Sequence, residues 1–531
     1  MRTTQQHCLT EWSLPSRGAP GDGLDRVEVD VVVTDPAGRQ RRVPAFWAGG
    51  STWRVRYAPL QTGRHRWHSE CLAAGLEDLH GQRGAFDVEP YTGDNPLLRH
   101  GPLRVAASRR TLEHADGTPF LWLGDTWWLG LCQRLTWPGE FMGLVDDRAA
   151  KGFTVIQVVA GLYPDMPAFD ARGDNEAGGP WEADYASLRP AYFDHADRRL
   201  AAIVAAGMVP CIVGAWGFHL GWLGVERMQR HWRCLVARYG AWPVVWCLAG
   251  EGTMPYYLST TPDADRAAQR RGWTEVARAV RRLDPIGHPL TIHPCEASRL
   301  SLDDSSLLDL DMLQTGHQDR LSLPNTLRAL AAARASTPTL PVIEAEVCYE
   351  GIGEACRQEL QRLLFWAAML SGAAGFTYGA NGLWQVNRRE KPFGPSPHGM
   401  SWGDTPWDEA ARLPGSAQVG LAARLLAGLP WWRFEPHPEW VEPHATPQEP
   451  LLPMAGGVPG LVRVLYLPCR WALPTLRALE PGLPYRARLV SPVDGRAHDL
   501  GVVQGDDAGT AALPVSRLPV FQDWVLILER A

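Results

Sequence analysis

The sequence predicts an α/β protein built on a (β/α)8 TIM barrel, with a β-sandwich before the barrel and a small β-domain after it. Three observations lead to this prediction. Strand patterns fill about the first hundred residues, helix-then-strand units repeat through the middle of the chain, and strand patterns return near residue 430. The 531 residues leave room for three domains at about 150 residues each. We place the domains at 1–95, 96–430 and 431–531.

The N-terminal region has strand patterns and lacks helical periodicity. Its alternating runs include RVEVDVVVTD (26–35) and STWRVRYAP (51–59), and the turn sequences DPAG and QTGR break them. Short strands separated by such turns are typical of a small β-sandwich. A segment rich in Gly, Pro and Asn, PYTGDNPLLRHGP (90–102), follows and reads as a linker.

The central region alternates helical stretches with short apolar runs, and a Gly or Pro commonly separates the two. This alternation predicts βα units around a parallel sheet, and eight such runs fit a complete barrel. The eight predicted strands are 119–125, 153–160, 208–216, 243–251, 288–294, 310–317, 340–346 and 375–381. In this fold the chemistry takes place at the carboxyl ends of the strands.

The C-terminal region returns to strand patterns. GLVRVLYLP (460–468), YRARLVSP (485–492) and DWVLILER (523–530) are separated by the turn sequences PGLP, VDGR and GDDAG. These runs predict a second, smaller β-domain.

Charge and composition exclude several classes of function. The net charge is −6 and no dense basic block is present, so we expect no nucleic-acid partner. The uncharged stretches 200–224 and 363–387 each read as a helix, a Gly and a buried strand, so we expect no membrane span. The only lysines, Lys151 and Lys391, lie beside a strand and in a charged loop, which disfavours Schiff-base or pyridoxal-phosphate chemistry. We therefore expect no cofactor.

The ten cysteines, among them Cys8, Cys132, Cys247 and Cys348, form no CxxC pair and no zinc-ligand spacing. This pattern indicates scattered core residues in a reducing compartment. The first residues, MRTTQQHCLTEW, lack the apolar core of a secretory signal. We therefore expect the protein in the cytoplasm.

Polar residues lie at or just past the ends of six predicted strands: Asp125, Glu251, His293, His317, Glu346 and Asn381. Glu251 ends the fourth predicted strand and Glu346 ends the seventh, so their carboxyl groups can face each other across the barrel mouth. Glycoside hydrolysis needs such a pair. The alternative is that each is a rim carboxylate in an ion pair.

Several local sequences resemble the apiosidase-like glycoside hydrolases, a family in the clan of retaining barrel glycosidases. They are FLWLGDTWW (120–128), VVWCLAGE (244–251), LTIHP (290–294), LDMLQTGHQ (310–318), PVIEAEVCYEG (341–351) and GFTYGANGLWQ (375–385). The resemblance extends to an N-terminal sandwich with the pattern FWAGGSTWRVRYAPLQTG (46–63) and to a small C-terminal β-domain.

The resemblance implies roles for the two carboxyl groups. Glu251 is then the general acid/base and Glu346 the nucleophile of an O-glycosyl hydrolase. Glu344 and Glu350 compete for the nucleophile role. Glu344 points to the same side of the strand as Glu346, but Glu346 lies nearer the strand end and matches the motif, so we favour Glu346.

Ten further residues are candidates for sugar binding, because indole rings stack on sugar C–H faces and polar groups bond to hydroxyls. They are Asp125, Trp127, Trp216, His219, His293, His317, Tyr349, Tyr378, Asn381 and Trp384. For each Trp the alternative is ordinary packing, and for Asp125 it is a helix cap.

Our leading hypothesis is an exo-acting, retaining glycoside hydrolase that cleaves oligosaccharides or glycosides in the cytoplasm. One alternative is a non-catalytic carbohydrate-binding barrel. A second is a metal-dependent barrel hydrolase, since His293 and His317 follow strands five and six. That class needs an HxH pair on strand one and an Asp on strand eight, where this chain has Gly124-Asp125-Thr126 and Asn381, so we expect no metal. The sequence does not specify the sugar, the linkage or the oligomeric state.

Overall fold

The computed structural model describes residues 2–17, 23–470 and 472–531. The N-terminal region is a sandwich of two β-sheets, as predicted. Inward-facing residues such as Trp53, Val31 and Phe86 fill the space between the sheets. The larger sheet contains Arg2–Gln5, Val29–Thr34, Gln40–Pro44, Gly63–Cys71 and Arg83–Glu89. The smaller sheet contains Thr10–Pro15, Phe46–Trp47 and Thr52–Tyr57.

A short helix and a three-stranded antiparallel sheet join the sandwich to the barrel. The helix is Pro96–His100, and the Asn95 side chain caps its first turn by accepting a hydrogen bond from the Leu97 amide. The strands are Leu103–Val105, Leu112–His114 and Pro119–Phe120.

The central region is a barrel of eight parallel strands, and each predicted strand is present. In chain order, barrel strands one to eight are Trp122–Thr126, Val155–Val159, Val209–Val213, Val245–Cys247, Leu290–Thr291, Asp311–Gln314, Val342–Glu346 and Gly375–Tyr378. The ladder runs in the order five, four, three, two, one, eight, seven, six. Most of the strand residues are apolar and buried on both faces, as a barrel enclosed by helices requires.

The barrel ladder opens between strands five and six. The connection between these strands forms the 3-10 turns Ser298–Leu300 and Ser305–Leu307, whereas a longer helix follows the other strands. The Asp309 amide still donates to the Leu290 carbonyl at 2.8 Å, so the two strand starts stay together. The surrounding helices are Gly139–Lys151, Pro190–Ala205, His219–Tyr239, Pro262–Leu283, Leu323–Ala335, Gln358–Leu370, Trp407–Ala410 and Pro414–Ala427.

The C-terminal region forms two β-sheets with their own apolar core, as predicted. The larger contains Glu435–Pro436, Met454–Val458, Val462–Leu467, Tyr485–Val490, Ala497–Val503 and Trp524–Arg530. The smaller contains Val441–Glu442, Thr475–Leu476 and Ala511–Ala512. Residues of the larger sheet, among them Val464, Tyr466 and Ile527, also pack into the barrel's apolar core.

Neither long uncharged stretch forms a membrane span. Residues 200–224 divide into the end of helix Pro190–Ala205, barrel strand three and the start of helix His219–Tyr239. Residues 363–387 divide into the end of helix Gln358–Leu370, barrel strand eight and a loop. None of the helices in the described ranges is long and apolar enough to cross a membrane.

One expectation about the cysteines is wrong, because Cys348 and Cys356 form a disulfide. The chain after barrel strand seven makes the 3-10 turn Ile352–Glu354, which returns it toward Cys348. Cys132 and Cys247 are free and buried, as expected for core residues. The cytoplasmic location stays a prediction.

Candidate active site

Glu251 and Glu346 meet at the carboxyl end of the barrel. Glu346 is the last residue of barrel strand seven, and Glu251 follows strand four at a backbone φ of 42°, in the left-handed region. Gln314, at the end of strand six, donates from Nε2 to Glu251 Oε1 at 3.0 Å and to Glu346 Oε1 at 3.4 Å. A single amide nitrogen therefore bridges the two carboxyl groups.

Two histidines hold Glu346 in its ionised form. His317 Nε2 donates to Oε1 at 2.9 Å, and His293 Nε2 lies 3.2 Å from Oε2. Burial by itself raises the pKa of Glu346, but these two contacts outweigh it and lower the pKa to about 2. For His317, burial lowers the pKa, but the hydrogen bond to Glu346 outweighs it and the net shift is upward.

Glu251 has the opposite environment. Desolvation by the surrounding protein raises its pKa, and the nearby Glu346 carboxylate raises it further. Trp216 Nε1 donates to Oε2 at 3.2 Å and fixes the orientation of the carboxyl group. Glu251 therefore keeps its proton to a higher pH than Glu346 does, as an acid paired with a nucleophile requires.

The two carboxyl groups open into a cavity of about 250 Å³. Trp128 Nε1 donates to Tyr349 Oη at 3.0 Å, and the His317 and Tyr349 rings lie 4.9 Å apart, so its aromatic walls support one another. The cavity is lined by Trp128, Pro164, Asp165, Trp216, Glu251, Met254, Tyr257, Gln314, His317, Glu346, Tyr349, Ile352, Trp384, His398, Met400 and Trp402. Within the described ranges, this lining contains no Arg or Lys.

A third carboxyl group, Asp165, lies in the same cavity. Its residue has a backbone φ of 56°, and burial raises its pKa. Ser396 Oγ donates to Asp165 Oδ1, and His398 stacks on Tyr257 with ring centroids 5.1 Å apart. Ser396 thus docks the loop after barrel strand eight onto the loop after strand two, and His398 docks it onto the loop after strand four.

The structure brings four of the ten predicted sugar-binding residues to the cavity wall: Trp216, His317, Tyr349 and Trp384. His293 lies directly behind the wall. It is fully buried, contacts Glu346, and packs edge-on against Trp128 at 5.3 Å between ring centroids. It therefore contacts Glu346 and does not line the cavity.

Five predicted residues lie elsewhere. Asp125 is fully buried and accepts hydrogen bonds from Arg148 Nε at 2.6 Å and Trp127 Nε1 at 2.7 Å, so it anchors helix Gly139–Lys151 to barrel strand one. Trp127 serves as its donor. Tyr378 Oη donates to Glu350 at 2.5 Å, and neither residue lines the cavity. These buried polar side chains hydrogen-bond to one another, as burial requires. Their positions at predicted strand ends do not reveal this pairing.

The other two support loops. Asn381 Nδ2 donates to the Trp402 carbonyl at 2.5 Å and holds the loop that carries Trp402 over the cavity. His219 Nε2 donates to the Tyr163 carbonyl at 3.0 Å and faces a different cavity. Neither side chain lines the cavity that contains Glu251 and Glu346.

The rival carboxyl groups do not reach the cavity. Glu344 is fully buried, its Oε1 accepts from Thr315 Oγ1 at 3.1 Å, and burial raises its pKa well above the usual range. Glu350 accepts from Tyr378 and from the Gly415 amide at 3.0 Å, and burial raises its pKa as well. Of the three carboxyl groups in the strand-seven motif, Glu346 is the one that lines the cavity.

The structure adds residues that sequence analysis missed. Gln314 is the most important, and its place at the end of strand six, beside the end of strand seven, could have identified it. Asp165, Tyr257 and Trp402 come from loops whose path no periodicity predicts. The described residues include no group of three or more His, Cys, Asp or Glu side chains arranged to hold a metal ion.

Comparison with known proteins gives a consistent result. A family model described as the apiosidase-like catalytic domain matches residues 106–433, more than half of the chain. A domain of unknown function matches residues 3–72. No curated protein sequence matches the chain.

Solved structures share the fold at low sequence identity. One described as a glycoside hydrolase is 22% identical, covers 83% of this chain and 99% of its own, and has a TM-score of 0.66. A family 5 glycoside hydrolase from Bacteroides vulgatus is also 22% identical, covers 82% of this chain and 93% of its own, and has a TM-score of 0.64.

Proposed function

Since the chain belongs to the apiosidase-like family of glycoside hydrolases, we propose that it removes a single neutral glycosyl unit from the end of an oligosaccharide or glycoside, with retention of configuration. The observation that carries this proposal is the Gln314 amide, which touches both carboxyl groups. The two bridged oxygens are separated by at most the sum of its two contact distances, about 6.4 Å. This upper limit, which applies to the nearest oxygens of the two groups, agrees with the spacing of about 5–5.5 Å in retaining enzymes better than with the roughly 6.5–9.5 Å in inverting ones.

In the first step the Glu346 carboxylate attacks the anomeric carbon as the bond to the leaving oxygen breaks. Glu251 gives its proton to that oxygen, so the leaving group departs as a neutral alcohol. The contacts from His317 and His293 keep Glu346 anionic before the attack, and they weaken as its charge passes to the glycosyl ester.

In the second step water replaces the leaving group. Glu251, now a carboxylate, removes a proton from the water as its oxygen attacks the anomeric carbon and the bond to Glu346 breaks. The proton returns Glu251 to its starting state. Trp216 and Gln314 bond to the Glu251 carboxyl group and keep it oriented in both steps.

The dimensions of the cavity support action at a chain end. Its volume of about 250 Å³ lies below the roughly 300–1,000 Å³ of sites that hold drug-sized ligands, so it suits one sugar ring. Trp384 Nε1 and Gln314 Oε1 are buried and have no hydrogen-bond partner among the described residues, so they are available to sugar hydroxyls. Three carboxyl groups line the cavity and its lining contains no Arg or Lys among the described residues, which disfavours uronic acids and sulfated or phosphorylated sugars.

The test is the configuration of the product. A panel of aryl glycosides of neutral sugars and uronic acids identifies a substrate, and NMR then detects the first-formed anomer. We expect release from a neutral sugar, with retention, and a glycosyl group trapped on Glu346 by the matching 2-fluoro glycoside. An inverted product would exclude the double displacement, and the absence of release from every member would favour the non-catalytic carbohydrate-binding alternative.

A further inference from the structure

A second cavity of about 250 Å³ lies beside the catalytic cavity. Segment 161–170, which follows barrel strand two, forms the wall between them. Pro164 and Asp165 line the catalytic cavity, whereas Tyr163, Met166 and Phe169 line the second one. The second cavity is therefore a separate space at the same end of the barrel.

The second cavity has an aromatic wall and rim. Tyr163, Phe169, Trp181 and Tyr185 all line it. The Phe169 and Tyr185 rings lie 4.6 Å apart, and Phe169 is 53% exposed at the rim. Exposed aromatic rings beside a cavity offer the flat apolar surface on which the C–H face of a sugar stacks.

Three buried polar atoms belong to side chains that line this cavity and have no partner among the described residues: Trp181 Nε1, Tyr185 Oη and His219 Nδ1. His219 Nε2 contacts the Tyr163 carbonyl, which can only accept, so Nε2 carries the hydrogen and Nδ1 is an acceptor. Burial lowers the pKa of His219 to about 4, so the ring is neutral at ordinary pH. Two donors and one acceptor match hydroxyl groups, which both donate and accept.

The backbone at this cavity is held in an unfavourable conformation. Phe169, Asp184 and Tyr185 have φ values of 59°, 54° and 55°, in the region that residues other than Gly rarely adopt. Each such residue costs about 1–3 kcal/mol and is found mainly where a loop serves a function. Such strain persists only where the surrounding structure holds the residue in place, as the contact between the Phe169 and Tyr185 rings does here.

The charged side chains at the cavity are largely paired. Asp170 is paired with Arg172 at 2.8 Å, and Arg189 with Glu182 at 2.7 Å. Burial raises the pKa of the remaining carboxyl group, Asp174. The cavity therefore favours a ligand without charge.

We propose that this cavity is a second, non-catalytic carbohydrate-binding site that takes one neutral sugar ring, stacked at Phe169 and hydrogen-bonded by Trp181, Tyr185 and His219. The proposal goes beyond hydrolysis, since the catalytic carboxyl groups lie in the other cavity. A site of this kind keeps product or substrate chains close to the catalytic cavity.

The experiment uses calorimetric titration of the full-length Glu346→Gln variant, so that no probe is consumed. The probes are the methyl glycosides of glucose, galactose, mannose, xylose and arabinose and their β-linked disaccharides. We expect at least one probe to bind at two sites per chain. Tyr185→Phe removes only the hydroxyl and should lower the affinity of one site about 5- to 10-fold, and Phe169→Ala should lower the affinity of the same site.

The matched control is Tyr239→Phe, because the Tyr239 hydroxyl is also buried without a partner in the described chain but lies outside this cavity. It should leave both sites unchanged. One binding site for every probe, or two sites that Tyr185→Phe and Phe169→Ala leave unaltered, would overturn the proposal. Failure of the proposed hydrolysis is a separate result, because it appears as the absence of release from the aryl glycoside panel, which this titration does not measure.

Discussion

Glu251 and Glu346 are the same side chain placed in different surroundings. Glu346 has two imidazole neighbours, which lower its pKa to about 2 against the effect of burial. Glu251 has an indole and an amide as neighbours, and desolvation raises its pKa. Environments that move two carboxyl pKa values apart assign one group as base or nucleophile and the other as acid.

The first prediction concerns the nucleophile. Glu346→Gln should lower kcat by several orders of magnitude and leave the fold intact, because the glycosyl ester can no longer form. Steady-state kinetics with the best aryl glycoside and a far-UV circular dichroism spectrum measure both effects.

The control is Glu344→Gln on the same strand. The amide replaces a buried carboxyl group whose pKa burial raises well above the usual range, so little charge changes and the Thr315 contact can persist. This variant should retain most of the activity. A larger loss at Glu344 than at Glu346 would reverse our assignment.

The second prediction concerns pH dependence. Glu346 must be ionised and Glu251 protonated, so kcat/KM should fall on the acidic side as Glu346 gains a proton and on the alkaline side as Glu251 loses one. The low pKa of Glu346 makes the acidic limit very low. His317→Phe removes a contact that lowers this pKa, so it should move the acidic limit to higher pH.

His398→Phe is the control for this prediction, since His398 lines the same cavity but stacks on Tyr257 and does not contact Glu346. Its acidic limit should match that of the unmodified protein. An acidic limit that His317→Phe leaves in place would show that His317 does not hold Glu346 in its ionised form.

At the scale of the element, glycines just after barrel strands leave room for the aromatic rings that line the cavity. A Cβ atom on Gly250 would lie 2.2 Å from the Trp216 ring, and one on Gly379 would lie 2.1 Å from the Tyr349 ring. Such distances require the ring to move. Trp216 and Tyr349 both line the catalytic cavity.

The third prediction follows from this packing. Gly250→Ala should displace the Trp216 indole, weaken its hydrogen bond to Glu251 and lower kcat/KM by roughly tenfold or more, in line with the loss of about 1.4 kcal/mol of positioning. Gly221→Ala is the matched control, because a Cβ there meets nothing within 4 Å and Ala favours the helix. It should leave kcat/KM unchanged. Equal effects of the two substitutions would contradict the packing argument.

The elements show how far sequence could predict this fold. All eight barrel strands were predicted because each is a short apolar run between helical patterns, and this periodicity is a local property. The opening between strands five and six was not predicted. The connection between these two strands, which lies within the described ranges, contains short 3-10 turns and no longer helix, and the sequence analysis did not identify this difference. The disulfide between Cys348 and Cys356 depends on the path of a loop, which has no periodic signal.

The sequence predicts a site residue well where its position depends only on the local strand pattern. Glu251 and Glu346 meet at the barrel mouth, as their positions at predicted strand ends indicate, and Gln314 could have been identified in the same way. Asp125 was predicted to bind sugar because the sequence does not show its partner. That partner is Arg148, which lies on the following helix, and no local pattern links the two residues. Buried polar groups acquire partners only when the chain is folded, so sequence cannot separate them from binding residues.

At the scale of the whole molecule, ion pairs join both β-domains to the barrel. Arg56 of the N-terminal sandwich contacts Asp197 of helix Pro190–Ala205 at 2.6 Å and the Arg238 carbonyl at 3.1 Å. Arg362 of helix Gln358–Leu370 contacts both oxygens of Asp523, which lies just before the last strand of the C-terminal domain. Both β-domains are therefore fixed to the outside of the barrel.

The last prediction concerns the C-terminal attachment. Arg362 donates to Asp523 at 2.7 and 2.6 Å, Tyr466 Oη donates to the same carboxylate at 2.8 Å, and both charged residues are almost fully buried. Removing one partner of a buried ion pair leaves the other charge without compensation and costs about 3–5 kcal/mol. We expect Asp523→Asn to lower the Tm in calorimetry by several degrees, with kcat nearly unchanged at temperatures where the protein is folded.

Glu529→Gln provides the comparison, since Glu529 forms a half-exposed pair with Arg488 in the same C-terminal sheet. Exposed pairs contribute about 0–1 kcal/mol, so its Tm should change little. The double variant Arg362→Met/Asp523→Leu removes both charges and should recover much of the Tm lost in Asp523→Asn, because replacing a whole buried pair by apolar residues is often neutral. If Asp523→Asn lowers the Tm no more than Glu529→Gln does, the ion pair is not what fixes the C-terminal domain to the barrel, and apolar packing around Tyr466 and Ile527 takes that role.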